Sequence, residues 1–367
     1  MHEALRKAFC VAAAACERRL PAGKRSVSVA AGSALINLPF DAPGKCDGPF
    51  ARMPESFTAG CSRQARLNAS LPAGGIVRFE TDAPTVGVRL TLGRIISARD
   101  LPQMSLRGFA GIDVYARTQD GFRWKGCFAP NRRWGTQIAC DIEAADGEES
   151  GRFAEIWVYL PGFSSVATLT LTPPLGATVR AVSSAPRRRI ALYGSSITQG
   201  CAASRPGMTY ASQLGRMLNC DVLNFGLSGS AKGEASLARQ IGGLALDALV
   251  MEYDHNASVQ ELRATHQPFF AIVRARQPRL PVVFLSRISG GISVSQDEAA
   301  LRREIIRETY AQAIAQKDDR VRFVDGARIA ARYPHGALLS DDRHPNDLGM
   351  TAIAQALARE LSDFMAE

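Results

Sequence analysis

Between residues 190 and 365, short apolar runs alternate with helical patterns, and that alternation leaves the second half of the chain few possible folds. The apolar runs are Ile190–Tyr193, Val222–Phe225, Ala248–Tyr253, Pro281–Leu285 and Val321–Val324. Between them, Ser258-x-x-Glu261 reads as a capping box, in which serine oxygen and glutamate each satisfy a backbone amide left open at a helix start. It begins an amphipathic run that ends near Pro278. Gln296–Lys317 predicts a long helix rich in Glu, Arg and Ala. After Asn346, the residues Met350, Ile353, Leu357 and Leu361 line one face of a last helix. Strands joined through helices in this order imply a parallel sheet covered on both faces.

The first half follows a different period. Val86, Val88, Leu90 and Leu92 alternate with Gly87, Arg89 and Thr91, as a strand with one buried face requires. Ile112, Val114 and Ala116 repeat the pattern, as do Ile156, Val158 and Leu160, and Leu169–Thr172 follows after a short break. Turn signals punctuate these runs at Ala83-Pro84, Asp120-Gly121, Pro130-Asn131, Asp146-Gly147 and Pro161-Gly162. Many short strands between turns predict a β-sandwich of jelly-roll type. The expected organisation is therefore a leader at 1–25, a β-sandwich domain at 26–183 and an α/β domain at 187–367. The junction falls at Ser183-Ser184-Ala185-Pro186, and a length of 367 residues fits two domains.

Composition removes several function classes. With 46% apolar and 22% charged residues the chain can bury a core, which excludes global disorder. The net charge of +9 raises the question of nucleic acid. Its tight basic cluster, Arg187-Arg188-Arg189, sits at the junction, and no basic stripe is interleaved with aromatic residues, so nucleic acid is not expected as a partner. The eight cysteines form no C-x-x-C pair, and the five histidines complete no zinc-like spacing. No metal or other cofactor is expected. A chain of this size needs no disulfide staples, so reduced thiols and a cytoplasmic location are the expectation. Ala8–Cys16 is apolar after Arg6-Lys7, but it is short and followed at once by Glu17-Arg18-Arg19, unlike a standard signal peptide. No stretch is long and apolar enough to span a membrane.

Ligands and catalytic groups of open α/β sheets gather at the carboxyl ends of the strands, and four polar blocks fall there. Gly194-Ser195-Ser196-Ile197-Thr198-Gln199-Gly200 follows the first strand and offers a serine hydroxyl between small neighbours, as a nucleophile needs. Asn224-Phe225-Gly226-Leu227-Ser228-Gly229 follows the second, where the Gly229 N–H can face a developing oxyanion. Asp254-His255-Asn256 follows the third, and the Asn256 amide is a further donor. Asp341-Asp342-Arg343-His344 precedes the last helix, with a D-x-x-H spacing that brings carboxylate and imidazole onto one turn. Each block alone has an ordinary reading as a polar β-α turn.

Ser, Gly, Asn and D-x-x-H in that order form a pattern that resembles the SGNH (GDSL-type) hydrolase family over residues 187–365. The resemblance implies a three-layer, flavodoxin-like sheet. It makes Ser196 the nucleophile, His344 the base and Asp341 its orienting partner, with the Ser196 N–H, Gly229 and Asn256 as the oxyanion hole. The stretches Gly194–Gly207, Gly226–Glu234 and Tyr253–Ala257 are similar to a two-domain branch in which a β-sandwich precedes the hydrolase and whose members resemble carbohydrate esterases. Ser195 stands where the family's GDS block has Asp. His255 remains a rival base and Asp342 a rival acid, and Arg205, Glu234, Asp254, His255 and Arg287 are candidate substrate contacts.

The expected activity is hydrolysis of small acyl esters, acetyl above all, on a carbohydrate. The alternatives are a lipid or thioester hydrolase, or a non-catalytic carbohydrate-binding protein. The partner is then a small acylated substrate rather than nucleic acid or a membrane, and the oligomeric state is left open.

Overall fold

The computed structural model describes residues 26–29, 36–37, 50–95, 101–131, 135–144, 153–182, 187–254, 256–288 and 295–366. The leader at 1–25, the turn at Asp146-Gly147, the junction at 183–186 and His255 lie outside the described residues.

The strands before the junction are β1 (Val27–Val29), β2 (Ile36–Asn37), β3 (Ile76–Thr81), β4 (Thr85–Ile95), β5 (Ile112–Thr118), β6 (Gly121–Phe128), β7 (Gln137–Glu143), β8 (Ala154–Tyr159), β9 (Ser164–Thr172) and β10 (Val179–Ala181). They pair as two antiparallel sheets, β1-β9-β4-β7 and β10-β3-β8-β5-β6, with β2 joined to β3. The expected alternation builds the sandwich. Val88 faces Leu171 and Leu90 faces Leu169 in one sheet, and these side chains share a core with Val114, Ile156 and Val158 of the other. Side chains of period two leave one face apolar, so each sheet must cover the other's apolar face.

After the junction come β11 (Arg189–Gly194), β12 (Asp221–Gly226), β13 (Ala248–Glu252), β14 (Val282–Leu285) and β15 (Val321–Val324). All pair in parallel, in the order β12-β11-β13-β14-β15. This is the flavodoxin-like 2-1-3-4-5 arrangement. Successive residues leave opposite faces. Ala191, Tyr193, Leu249 and Met251 pack under the helices Ala235–Ile241, Val259–Arg276 and Gln296–Ala315. Ile190, Leu192, Ala248 and Val250 pack under Tyr210–Met217 and Asp347–Ala366. The result is a three-layer α/β fold beside a β-sandwich. The Ser258 capping box forms as the spacing predicts, and Leu357 and Leu361 of the last helix are fully buried. No helix among the described residues is long and apolar enough to cross a membrane.

One segment crosses between the two cores. Residues 50–71, which lie within the range assigned from sequence to the sandwich, send Met53, Phe57, Cys61, Ala65 and Ala69 into the core beneath the parallel sheet. Phe57 stacks on Phe225 of β12 with ring centroids 5.3 Å apart. Arg52 is fully buried. Its guanidinium donates to the carbonyls of Asn224 (2.9 Å), Gly226 (2.5 Å) and Asn68 (2.9 Å) and to Asn224 Oδ1 (3.0 Å). β12 is an edge strand, and carbonyls two residues apart point the same way, so Arg52 occupies hydrogen-bonding positions that a further strand would otherwise fill. Burial pulls its pKa down to about 9, still above neutrality.

Replacing Arg52 by Met should leave these acceptors buried without donors, at about 1–3 kcal/mol per unsatisfied group. Urea unfolding should show a loss of at least about 3 kcal/mol, and an unchanged midpoint would contradict the bracing role. A second expectation concerns His266, which is buried with Nδ1 2.8 Å from Thr309 Oγ1. Burial pulls its pKa down to about 3. Between that value and about 6.5 the unfolded chain takes up a proton that the folded one refuses, so this group's contribution to stability falls as pH falls. The acid side of a melting-temperature profile should therefore be shallower for His266→Gln than for the parent chain.

Candidate active site

The site sits where three neighbouring strands end. β11 lies between β12 and β13, the point at which the strand order reverses and where loops diverge to leave a crevice. Ser195 follows β11 and caps the short helix Ser196–Gln199, its side chain accepting from the Ile197 N–H. The turn is close-packed. A Cβ on Gly194 would lie 2.0 Å from Thr198 Oγ1 and 2.3 Å from the Glu252 carbonyl, so only glycine fits there. Gly200, with φ of 111°, ends the helix in the left-handed region.

Ser196 Oγ lies 3.0 Å from His344 Nε2. His344 Nδ1 lies 2.7 Å from Asp341 Oδ2. The other Asp341 oxygen accepts the backbone N–H groups of Arg343 (2.7 Å) and His344 (2.6 Å). The D-x-x-H spacing thus closes a turn on itself, with the carboxylate holding both the imidazole and the backbone that carries it. Partial burial works to raise the Asp341 pKa. Hydrogen bonds from the His344 backbone and ring and from Arg343 outweigh it and hold the carboxyl below its ordinary value. With Nδ1–H donating to Asp341, Nε2 is left to accept the Ser196 hydroxyl proton. Asp342 turns away: its carboxylate approaches Arg343 at 3.7 Å and its carbonyl accepts from Arg287.

The two donor loops are tied to this turn. Gly229 adopts φ of 66°, a left-handed conformation that glycine takes without strain. Around it, the Ser228 N–H donates to Gln199 Oε1 at 2.9 Å, and Asn68 Nδ2 donates to the Ser228 carbonyl at 2.7 Å. Asn224 Nδ2 donates to the Thr198 carbonyl at 2.7 Å. One N–H of the Asn256 amide donates to the Leu227 carbonyl at 2.9 Å, which fixes the side chain beside the same loop.

The remaining candidates have protein partners. Arg205 pairs with Asp113 at 2.7 Å and donates to Tyr115 at 2.6 Å, both on β5 of the sandwich. Glu234 accepts from the Tyr193 hydroxyl at 2.6 Å. Asp254 is buried, and its Oδ2 accepts the Arg287 N–H at 3.0 Å. Burial pushes its pKa up to about 6. Arg287 in turn reaches the Asp342 carbonyl at 3.1 Å, so Asp254 and Arg287 brace the loop that carries Asp341 and His344.

Sequence reasoning missed three contributors. Glu252, the last residue of β13, is buried and accepts from both Ser195 and Thr198; a carboxylate ending an apolar strand was the signal for it. Burial, followed by the nearby Asp254, pushes its pKa up to about 8. Gln103 brings its amide to 3.4 Å from His344 Nδ1 and 3.1 Å from Cys201 Sγ. Nothing local in the sequence marks Gln103 or Arg52. Among the described residues no group of His, Cys, Asp and Glu is arranged to hold a metal ion.

Residues 187–362 match the family model of GDSL-like lipases/acylhydrolases, and residues 41–179 match the model for the N-terminus of SGNH-hydrolase-type esterases. No curated protein matches the sequence. Among solved structures, the fold is similar to that of a GDSL-like lipase candidate from Bacteroides ovatus. The two are 21% identical with a TM-score of 0.80, covering 93% of this chain and 98% of that one. The salicylyl-acyltransferase of a tetracycline biosynthetic pathway is 18% identical with a TM-score of 0.72, over 94% and 98% of the two chains. A family two carbohydrate esterase from Cellvibrio japonicus is 14% identical with a TM-score of 0.55, over 94% and 99%. The two family matches leave only the chain's ends and a short junction uncovered. The chain therefore belongs to the SGNH (GDSL-type) hydrolases, in the branch with an N-terminal β-sandwich, and it hydrolyses ester bonds.

Proposed function

We propose that the chain is a serine esterase that removes small acyl groups, acetyl above all, from a carbohydrate. The observation that carries this reading is the Ser196–His344–Asp341 chain of hydrogen bonds, 3.0 and 2.7 Å long. Ser196 Oγ attacks the ester carbonyl while His344 Nε2 takes its proton. The resulting imidazolium is stabilised by Asp341 and returns the proton to the departing alcohol. Water then repeats the sequence on the acyl-enzyme and frees the acid. The Ser196 N–H, the Gly229 N–H and the second N–H of Asn256 take the oxyanion. The acylated sugar is supported by the likeness in fold to a family two carbohydrate esterase. Free thiols at Cys61, Cys127, Cys140, Cys201 and Cys220 support a reducing, cytoplasmic setting.

Ser196→Ala should lower kcat on nitrophenyl acetate by at least about 10³-fold, because the triad acts as a unit. Retention of more than a few per cent of activity would remove Ser196 from the role. Asn256→Ala should lower kcat by about 10²–10³-fold with KM little changed, and an effect on KM alone would refute its place in the oxyanion hole. A series of nitrophenyl esters of rising chain length tests the acyl preference. Preference for acetyl supports the sugar deacetylase, preference for long chains supports a lipid or thioester hydrolase, and no turnover supports a binding protein.

A further inference from the structure

Glu252 takes part in no step of this mechanism, yet it lies directly beneath the nucleophile turn. Its carboxylate accepts the Ser195 hydroxyl at 3.0 Å on Oε1 and 2.9 Å on Oε2, the Ser195 N–H at 3.2 Å and the Thr198 hydroxyl at 2.6 Å. The Ser195 N–H also reaches the Glu252 carbonyl at 2.8 Å. Because the Thr198 proton points at Glu252, the Tyr210 hydroxyl 2.7 Å away must donate to Thr198 Oγ1. Once Glu252 is ionised, above its raised pKa of about 8, every proton in this buried cluster therefore runs toward one carboxylate. Ser195 Oγ in turn uses a lone pair on the Ile197 N–H and so caps the helix whose first residue is Ser196.

A carboxyl in this position is expensive. Glu252 is 2% exposed and, among the described residues, no cation is a hydrogen-bond partner, so burial and then the nearby Asp254 disfavour its charge. An apolar residue would end a buried strand at lower cost. What the carboxylate supplies is direction. It holds residue 195 by side chain and backbone together and residue 198 by its hydroxyl, which fixes the helix turn between them. Ser196 Oγ must sit within hydrogen-bond reach of His344 Nε2, and a displacement of about 1 Å at such a centre costs on the order of 10² in rate.

We propose that Glu252 is a positioning residue for the nucleophile: acting through Ser195 and Thr198, its carboxylate aims Ser196 Oγ at His344. The inference rests on Ser196 being the nucleophile. Glu252→Gln would set an N–H₂ group against donors and should let the turn relax. Adding Ser195→Asp to that change should repair the network. The carboxylate introduced at position 195 would accept the Ile197 N–H and one N–H of the introduced amide, whose oxygen would accept from Thr198.

The test is steady-state kinetics on nitrophenyl acetate at about pH 9, where Glu252 is ionised, and well below the melting temperature, with the rate of covalent labelling of Ser196 by a nitrophenyl phosphonate as a second readout. Glu252→Gln should lower kcat and the labelling rate together, by about 10²-fold, with KM within about two-fold. The double variant Ser195→Asp, Glu252→Gln should recover at least about ten-fold of that loss. A Glu252→Gln chain with parental kcat overturns the inference whatever its melting temperature, as does a double variant that regains stability but not kcat. Should Glu252→Gln fail to fold, Ser195→Ala decides: about ten-fold lower kcat with unchanged KM is expected, and parental kcat overturns the inference. Ser196→Ala separates the two levels. If it stays active, the nucleophile assignment fails and this inference with it; if it is dead while Glu252→Gln is fully active, only the role of Glu252 falls.

Discussion

A buried cation that meets only neutral acceptors among the described residues ties the N-terminal segment 50–71 to the edge of the parallel sheet. The Arg52 guanidinium is out of water and is met by three backbone carbonyls and one side-chain amide oxygen, all neutral. The carbonyls of an edge strand need donors. The planar fork of arginine supplies them to two carbonyls at once, and its weak hydration lowers the cost of taking it inside. The consequence runs outward from there. Asn224, fixed by Arg52, holds the Thr198 carbonyl and the Gly226 N–H, while Asn68 from the same N-terminal segment holds Ser228 and Ser230. The loop that carries Gly229 is thus pinned from below by residues that lie far earlier in the chain, 160 positions before Ser228 in the case of Asn68.

That pinning explains why the site can form on turns. A nucleophile and an oxyanion hole require groups held to within a fraction of an ångström, whereas loops are ordinarily the least constrained part of a fold. Here each turn is tied to another turn or to the sheet. Gln199 beside the nucleophile accepts from Ser228 beside Gly229. Asn256 holds the carbonyl of Leu227. Asp254 and Arg287 brace the Asp341 loop from β13 and β14. The same strand ends that bring these groups together thus also supply the groups that stiffen them.

The parts legible in the sequence were those encoded by short-range periodicity and spacing. Residues 190–193, 222–225, 248–253, 281–285 and 321–324 read as strands because runs this short and apolar between helices fit a sheet covered on both faces, and the structure has five parallel strands at these places. His344 and Asp341 could be read as a pair because they stand three positions apart and one turn joins them. Arg52, Asn68 and Gln103 could not. Their partners in the hydrolase domain lie 98 or more residues away, and no local pattern distinguishes them from any polar residue near an apolar run. Arg205, a candidate substrate contact from its place beside the Ser196 block, meets Asp113 and Tyr115 of the sandwich, partners that no local pattern announces.

The same long-range logic bears on what the sandwich does for the hydrolase. Gln103, Ser105 and Gly108 all lie before or within the short helix Leu106–Ala110. Gln103 approaches His344 and Cys201, Ser105 donates to the Ser204 carbonyl, and a Cβ on Gly108 would lie 2.5 Å from the Ala203 carbonyl. This one connection between β4 and β5 therefore lies against the whole stretch that follows the nucleophile helix. Farther along the contact, the Arg205–Asp113 pair ties that stretch to β5, with the Gly207 N–H donating to the same buried carboxylate. Such contacts leave little room for the two layers to slide without stripping a buried charge of its partner. The sandwich is thus part of the frame around His344 and the stretch that follows Ser196.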